Sequence, residues 1–264
     1  MRVRFCNPFG TNAYDDLVRE SLEPYLRPDT DVEITHLENC PRNIDYYLPK
    51  HLMEVEIFRQ VVEAERAGVD AFVIGCCYDP GVDVARELTD MPVVGPLEAS
   101  VLLSRYFGHR FSVVTDHRKA VPELENLVRL FGVEANCRSI RAIDWYVENM
   151  VDDPSAVARD AFERCRRVLD EDGAECVVLG CTIIAACFER EILQGAEELG
   201  SLPIINPNVM AVKVAELCAD LRAVGQYRIS RRGYYQRAEQ HDAAEAEEVW
   251  RLFMEPSGRT TVET

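Results

Sequence analysis

Short apolar runs rich in β-branched residues recur along the chain, at 3–6, 32–36, 71–75, 93–94, 111–115, 134–140, 176–180 and 204–205. Longer amphipathic stretches lie between them, at 14–26, 52–67, 82–88, 98–107, 121–131, 156–172, 183–193 and 209–221. The alternation predicts βα units on largely parallel sheets, with the runs as strands and the stretches as helices. The helix over 156–172 carries its own punctuation, with Pro154-Ser155 ahead of it and Gly173 after it.

The pattern also repeats. Asp70-Ala71-Phe72-Val73-Ile74-Gly75-Cys76 aligns with Glu175-Cys176-Val177-Val178-Leu179-Gly180-Cys181 at an offset of 105 residues. Beyond it, Met91-Pro92-Val93-Val94-Gly95-Pro96 answers Leu202-Pro203-Ile204-Ile205-Asn206-Pro207. The opening strand likewise has a counterpart near 110–116. The duplication predicts an α/β fold of two pseudo-symmetric lobes, each a largely parallel sheet flanked by helices, with the active site in the cleft between them. The first lobe is expected to span 1–98 plus about 209–237, and the second 99–208. The seams fall near 95–102 and 209–221, and 238–264 forms a C-terminal extension.

In open α/β sheets ligands bind at the carboxyl ends of the strands. Both repeats place a Gly-Cys there, ahead of a turn and a helix. A helix N-terminus offers free N–H groups and a positive dipole end, which stabilise a thiolate. The glycines, Gly75 and Gly180, let a substrate approach the backbone closely. Pseudo-twofold symmetry then sets Cys76 and Cys181 across the cleft from each other. One thiol on each side of a planar carbanion is what stereoinversion needs, since a base takes the proton from one face and an acid returns one to the other. An unperturbed thiol, with a pKa of about 8.5, has both forms within reach near neutrality. The plainer reading, a pair of buried structural thiols, does not explain their shared placement in the repeat.

Composition narrows the field. With 47% apolar residues over 264 positions, the chain can bury one large core or two smaller ones. Acids outnumber bases 46 to 29, which argues against a nucleic-acid partner, because phosphate binding needs clustered cations. No apolar run approaches the roughly 18 residues of a membrane span, and no signal-peptide pattern opens the chain. A soluble, cytoplasmic protein acting on a small molecule is expected, with a symmetric homo-oligomer as the common assembly. The ten cysteines contain no Cys-x-x-Cys, so a zinc site is not expected, and most lie in apolar or helical surroundings as small hydrophobes.

Gly75-Cys76-Cys77-Tyr78-Asp79-Pro80-Gly81, with Ala85-Arg86-Glu87 and Pro92-Val93-Val94-Gly95-Pro96-Leu97-Glu98-Ala99 beyond it, resembles the first cysteine motif of the Asp/Glu/hydantoin racemase superfamily. The likeness is to its hydantoin and allantoin racemase branch. Leu179-Gly180-Cys181 resembles the second motif, Asn7-Pro8-Phe9-Gly10-Thr11 the opening element, and Ser230-Arg231-Arg232-Gly233-Tyr234-Tyr235 the closing segment. The resemblance implies a racemase or epimerase without metal, pyridoxal or other cofactor, acting on a hydantoin- or allantoin-like cyclic ureide or an amino acid, in which Cys76 and Cys181 are the acid–base pair. Asn7, Thr115 and Thr182 would then hydrogen-bond the substrate's oxygens, and Cys77, in the place of an aromatic residue, would be a packing residue. Asp79 either orients the thiol or makes an ordinary turn before Pro80. Phe9-Gly10 stands where the family has a polar pair, and Asp116-His117 where hydantoin-type members place a second hydroxyl residue. His117 is therefore either a proton relay or a loop histidine.

Two further readings stay open. The resemblance extends to maleate isomerases, which would use one thiolate as a nucleophile on a double bond. A non-catalytic small-molecule sensor or a thiol redox protein is the alternative of another class, the latter resting on the vicinal Cys76-Cys77. At the C-terminus, 243–254 reads as an amphipathic helix with Val249, Leu252 and Phe253 on one side, and 255–264 is expected to be mobile.

Overall fold

The strands form where β-branched side chains can be buried on both faces of a sheet. In the computed structural model, which describes residues 1–38, 40–42 and 45–254, eight strands appear and all pair in parallel. They are β1 (Arg2–Cys6), β2 (Asp31–Thr35), β3 (Ala71–Ile74), β4 (Val93–Val94), β5 (Phe111–Thr115), β6 (Cys137–Ala142), β7 (Cys176–Leu179) and β8 (Ile204–Ile205). They make two four-stranded sheets of identical plan, β2-β1-β3-β4 and β6-β5-β7-β8. The duplicated sequence is thus a duplicated sheet. Every residue of the central strands β3 and β7 is buried, whereas the edge strand β6 is half-exposed. β6 also begins later than its apolar pattern suggests, because Glu134–Asn136 close a 3₁₀ turn ahead of it.

Ten helices flank the sheets among the described residues: α1 (Asp15–Leu22), α2 (Tyr47–Arg66), α3 (Val82–Leu88), α4 (Pro96–Leu103), α5 (Ala120–Leu130), α6 (Val147–Met150), α7 (Pro154–Glu171), α8 (Thr182–Leu193), α9 (Pro207–Ala223) and α10 (Ala243–Met254). The starts of α7 and α9 follow capping chemistry more than apolar periodicity. Asp153 accepts from the Ala156 N–H ahead of Pro154, so α7 starts two residues earlier than its pattern predicts. Asn206 likewise accepts from the N–H groups of Asn208 and Val209 ahead of Pro207. None of the helices among the described residues is long and apolar enough to cross a membrane.

Two helices tie the halves together. α8 is buried from Thr182 to Glu189 and packs on both α1 and α7, and Tyr25 of the first half hydrogen-bonds its Glu189. α9 crosses back to lie on β1, β3 and β4. The chain that follows α9 is pinned to the first sheet by Arg231, which donates to the carbonyls of Arg86, Glu87 and Thr89 and pairs with Asp90. α10 then packs on its own lobe, but through a different face from the one its pattern suggests. Ala246 is buried and the Phe253 ring lies under Arg59, while Val249 and Leu252 are more than half solvent-exposed or close to it, at 50% and 58%. The expected mobile tail, 255–264, lies outside the described residues.

Candidate active site

The site is built from the strand ends. Gly75-Cys76 follows β3 and Gly180-Cys181 follows β7, the equivalent central strands of the two sheets. Packing by itself requires glycine at both. A Cβ at Gly75 would lie 2.2 Å from Phe5 Cε1, and one at Gly180 2.5 Å from Val113 Cγ1. Each strand end is thus pressed against the first strand of its own sheet.

The two thiols open onto one small cavity. The first half contributes Cys76, Cys77, Tyr78, Phe9 and Asp45; the second contributes Gly180, Cys181, Thr182, Asp116 and Val147. Cys181 is the N-cap residue of α8, where the backbone N–H groups of Ile183 and Ile184 favour its thiolate. Cys76 stands farther from its helix. A turn separates it from α3, and its sulfur is met instead by the Tyr78 N–H at 3.5 Å. Nor do the thiols sit near their ordinary pKa. Burial pushes both well up, and the Asp116 charge adds to the rise, outweighing the backbone N–H groups.

The other residues singled out by the sequence divide into those at the cavity and those behind it. Thr182 lines it and donates its hydroxyl to the Gly75 carbonyl at 3.0 Å, a hydrogen bond from one half to the other. Cys77 also lines it, its thiol donating to the Leu179 carbonyl at 3.7 Å. Thr115 is not among the lining residues; its hydroxyl is shared between the Gly180 carbonyl and Asp116. Asn7 stands behind as well, its amide donating to Asp15 at 2.7 Å while its Oδ1 is buried without a partner. Asp79 neither orients Cys76 nor makes only a local turn. At a left-handed φ of 46° its carboxylate accepts from the N–H groups of Leu97 and Glu98, capping α4 across space. Burial, opposed by those two N–H groups, raises its pKa to about 7.

His117 is tied to Asp45, with Nε2 and Oδ1 3.2 Å apart, and stacks on Tyr146. Burial works against its charged form, but the Asp45 hydrogen bond and the Asp116 charge prevail and its pKa is raised. Burial lifts Asp116 to about 6 against the pull of His117. Among the described residues, Asp45, Asp116 and His117 are the one set whose ligating atoms, all within 4.8 Å of each other, converge closely enough for an ion. Asp45 and Val147 escaped the sequence reading because Asp45 reaches the cavity from a connecting segment and Val147 from the short helix α6, neither with a motif around it.

A duplicated parallel sheet with a Gly-Cys strand end from each copy on a shared cavity defines a two-lobed α/β enzyme. The sequence profile of the Asp/Glu/hydantoin racemase family matches residues 3–215, and the chain belongs to that family. It is an isomerase of the racemase type. It is 34% identical over 221 residues to the hydantoin racemase of Pseudomonas sp. (strain NS671), covering 84% of this chain and 87% of the relative. To the hydantoin racemase of Rhizobium meliloti it is 33% identical over 216 residues, 82% of this chain and 88% of the other. Its fold is similar to that of the allantoin racemase from Klebsiella pneumoniae, with a TM-score of 0.80 at 27% identity over 90% of this chain and 94% of that one.

Proposed function

We propose that this chain racemises a small carbon acid of the hydantoin or allantoin type, with Cys76 and Cys181 as its acid–base pair. The observation that carries this reading is that both thiols line one cavity from equivalent strand ends of the two halves. One sulfur, as thiolate, takes the proton from the acidic carbon and leaves an enolate-like anion. The other sulfur gives its proton to the opposite face, so the two exchange roles and no proton is consumed. The raised thiol pKa suits a weak carbon acid, since a sulfur that holds its proton tightly is also the stronger base. The N–H of Tyr78 on one side, and those of Ile183 and Ile184 on the other, receive the thiolate as it forms. Thr182 is placed to meet the ligand, while Asn7 and Thr115 act on the cavity through their neighbours.

A dicarboxylate suits this cavity poorly. The charged residues lining it are Asp45 and Asp116, both acidic, and no Lys or Arg stands among them. Addition of a thiolate to maleate is therefore disfavoured against proton transfer on a ring rich in N–H groups. Incubation in D2O with 5-substituted hydantoins, allantoin, aspartate, glutamate and maleate, read by NMR, tests the proposal. Exchange of the acidic C–H of a cyclic ureide is expected. Isomerisation of maleate, or exchange confined to the amino acids, contradicts it.

A further inference from the structure

Two carboxylates share the cavity with the thiols, and proton transfer between sulfurs makes no use of them. Asp116 Oδ1 is engaged by its own chain, accepting from the His117 N–H at 2.8 Å and the Thr115 hydroxyl at 3.0 Å. Asp45 Oδ1 faces His117 Nε2 at 3.2 Å. That leaves one oxygen on each. Asp116 Oδ2 stands 3.9 Å from His117 Nε2, beyond hydrogen-bond reach, and Asp45 Oδ2 is buried with no partner at all. Both residues are at least nine-tenths buried, at 5% and 3% exposure. A carboxylate oxygen withdrawn from water and left unpaired is costly, so such a group calls for a donor.

Charge defines the donor further. Asp45, Asp116 and His117 set two acids against one base, so acidic groups outnumber basic ones at this point. Lys50, whose charge reaches Cys76, is bonded to Glu123 and does not line the cavity. We infer that Asp45 and Asp116 form a subsite for a cationic planar N–H group, of the guanidinium class, carried on the substituent of the carbon acid. Asp45 Oδ2, buried without a hydrogen-bond partner, and the cavity-lining carboxylate of Asp116 offer acceptors to the fork of N–H donors that a guanidinium presents, and its positive charge complements two acids. The inference rests on the racemase reading above and adds the class of substituent to it.

The test is a matched set of 5-substituted hydantoins bearing 3-guanidinopropyl, n-butyl, 3-ureidopropyl and 2-carboxyethyl groups. Exchange in D2O is followed at pH 8, above the value of about 6 to which burial lifts Asp116. The guanidinopropyl compound should exceed the butyl and ureidopropyl compounds in kcat/KM by roughly tenfold or more, with carboxyethyl last. Asp116→Asn and Asp45→Asn should each lower the guanidinopropyl-to-butyl ratio by roughly tenfold. Either substitution also alters the field at the thiols, but that change acts on both substrates alike and cancels in the ratio. Asp45, on a connecting segment, supplies the test if the Asp116 variant does not fold. Equal turnover of the butyl and guanidinopropyl compounds by the wild type overturns the inference alone, as does a ratio that survives both substitutions. Absence of exchange with every member of the set overturns the racemase reading and the inference together.

Discussion

Burial sets the chemistry of individual side chains at this site more strongly than any single partner does. Cys76 and Cys181 both receive backbone N–H groups, yet desolvation lifts both thiols well above the ordinary range. A base that must first lose a proton of raised pKa works better as the solution becomes more alkaline. The opposing thiol, equally raised, keeps its proton over the same interval. We therefore expect kcat/KM to climb about tenfold per pH unit between pH 7 and 9, with no falling limb in that range, as a pH profile of the racemisation would register. A bell with its maximum near pH 7 would mean that groups other than these thiols carry the proton. That these two sulfurs line one cavity was legible because duplication puts a cysteine at the same place twice. Their protonation was not, since nothing in the local sequence records how deeply a strand end is covered.

At the scale of elements, Asp79 shows how a side chain from one segment fixes the start of another. It sits in the turn after β3 and caps α4 with two hydrogen bonds. Its pKa of about 7 in the fold, against 3.8 for the ordinary group, means that the folded state holds a proton the unfolded chain would release. Its contribution is fully present below about pH 3.8 and is lost as pH rises through about 7. Asp79→Asn removes that titration, so thermal melting should shift in favour of the variant, relative to wild type, between pH 5 and 8. A difference in Tm that is constant with pH, or that moves the other way, would contradict this assignment. The sequence alone showed an Asp before a proline, a common turn, and could not show a helix start 18 positions further on. All eight strands were legible, because β-branched runs are short and local. Helix starts were less so, as at α7 and α9, where Asp153 and Asn206 set them through side-chain hydrogen bonds. Asp45 was illegible for the same reason as the α4 cap: its role exists only once the first half is folded against the second.

For the molecule as a whole, duplication carries the function. The repeat at 105 residues places equivalent sheets so that their central strands end on one cavity, and the Thr182 hydroxyl bonded to the Gly75 carbonyl joins those ends directly. Neither half alone encloses a ligand between two sulfurs. In the proposed mechanism each thiol serves one face of the substrate, a property of the assembled lobes rather than of either cysteine. Serine in place of one sulfur should then abolish inversion while leaving the other sulfur able to exchange the C–H proton of a single enantiomer. The most direct measurement is C–H exchange in D2O on each pure enantiomer of a turned-over hydantoin, with Cys76→Ser and Cys181→Ser side by side. Both variants should lose racemisation by about 10²-fold or more, and the two should exchange opposite enantiomers. Wild-type racemisation in either variant, or exchange of the same enantiomer by both, would contradict the account.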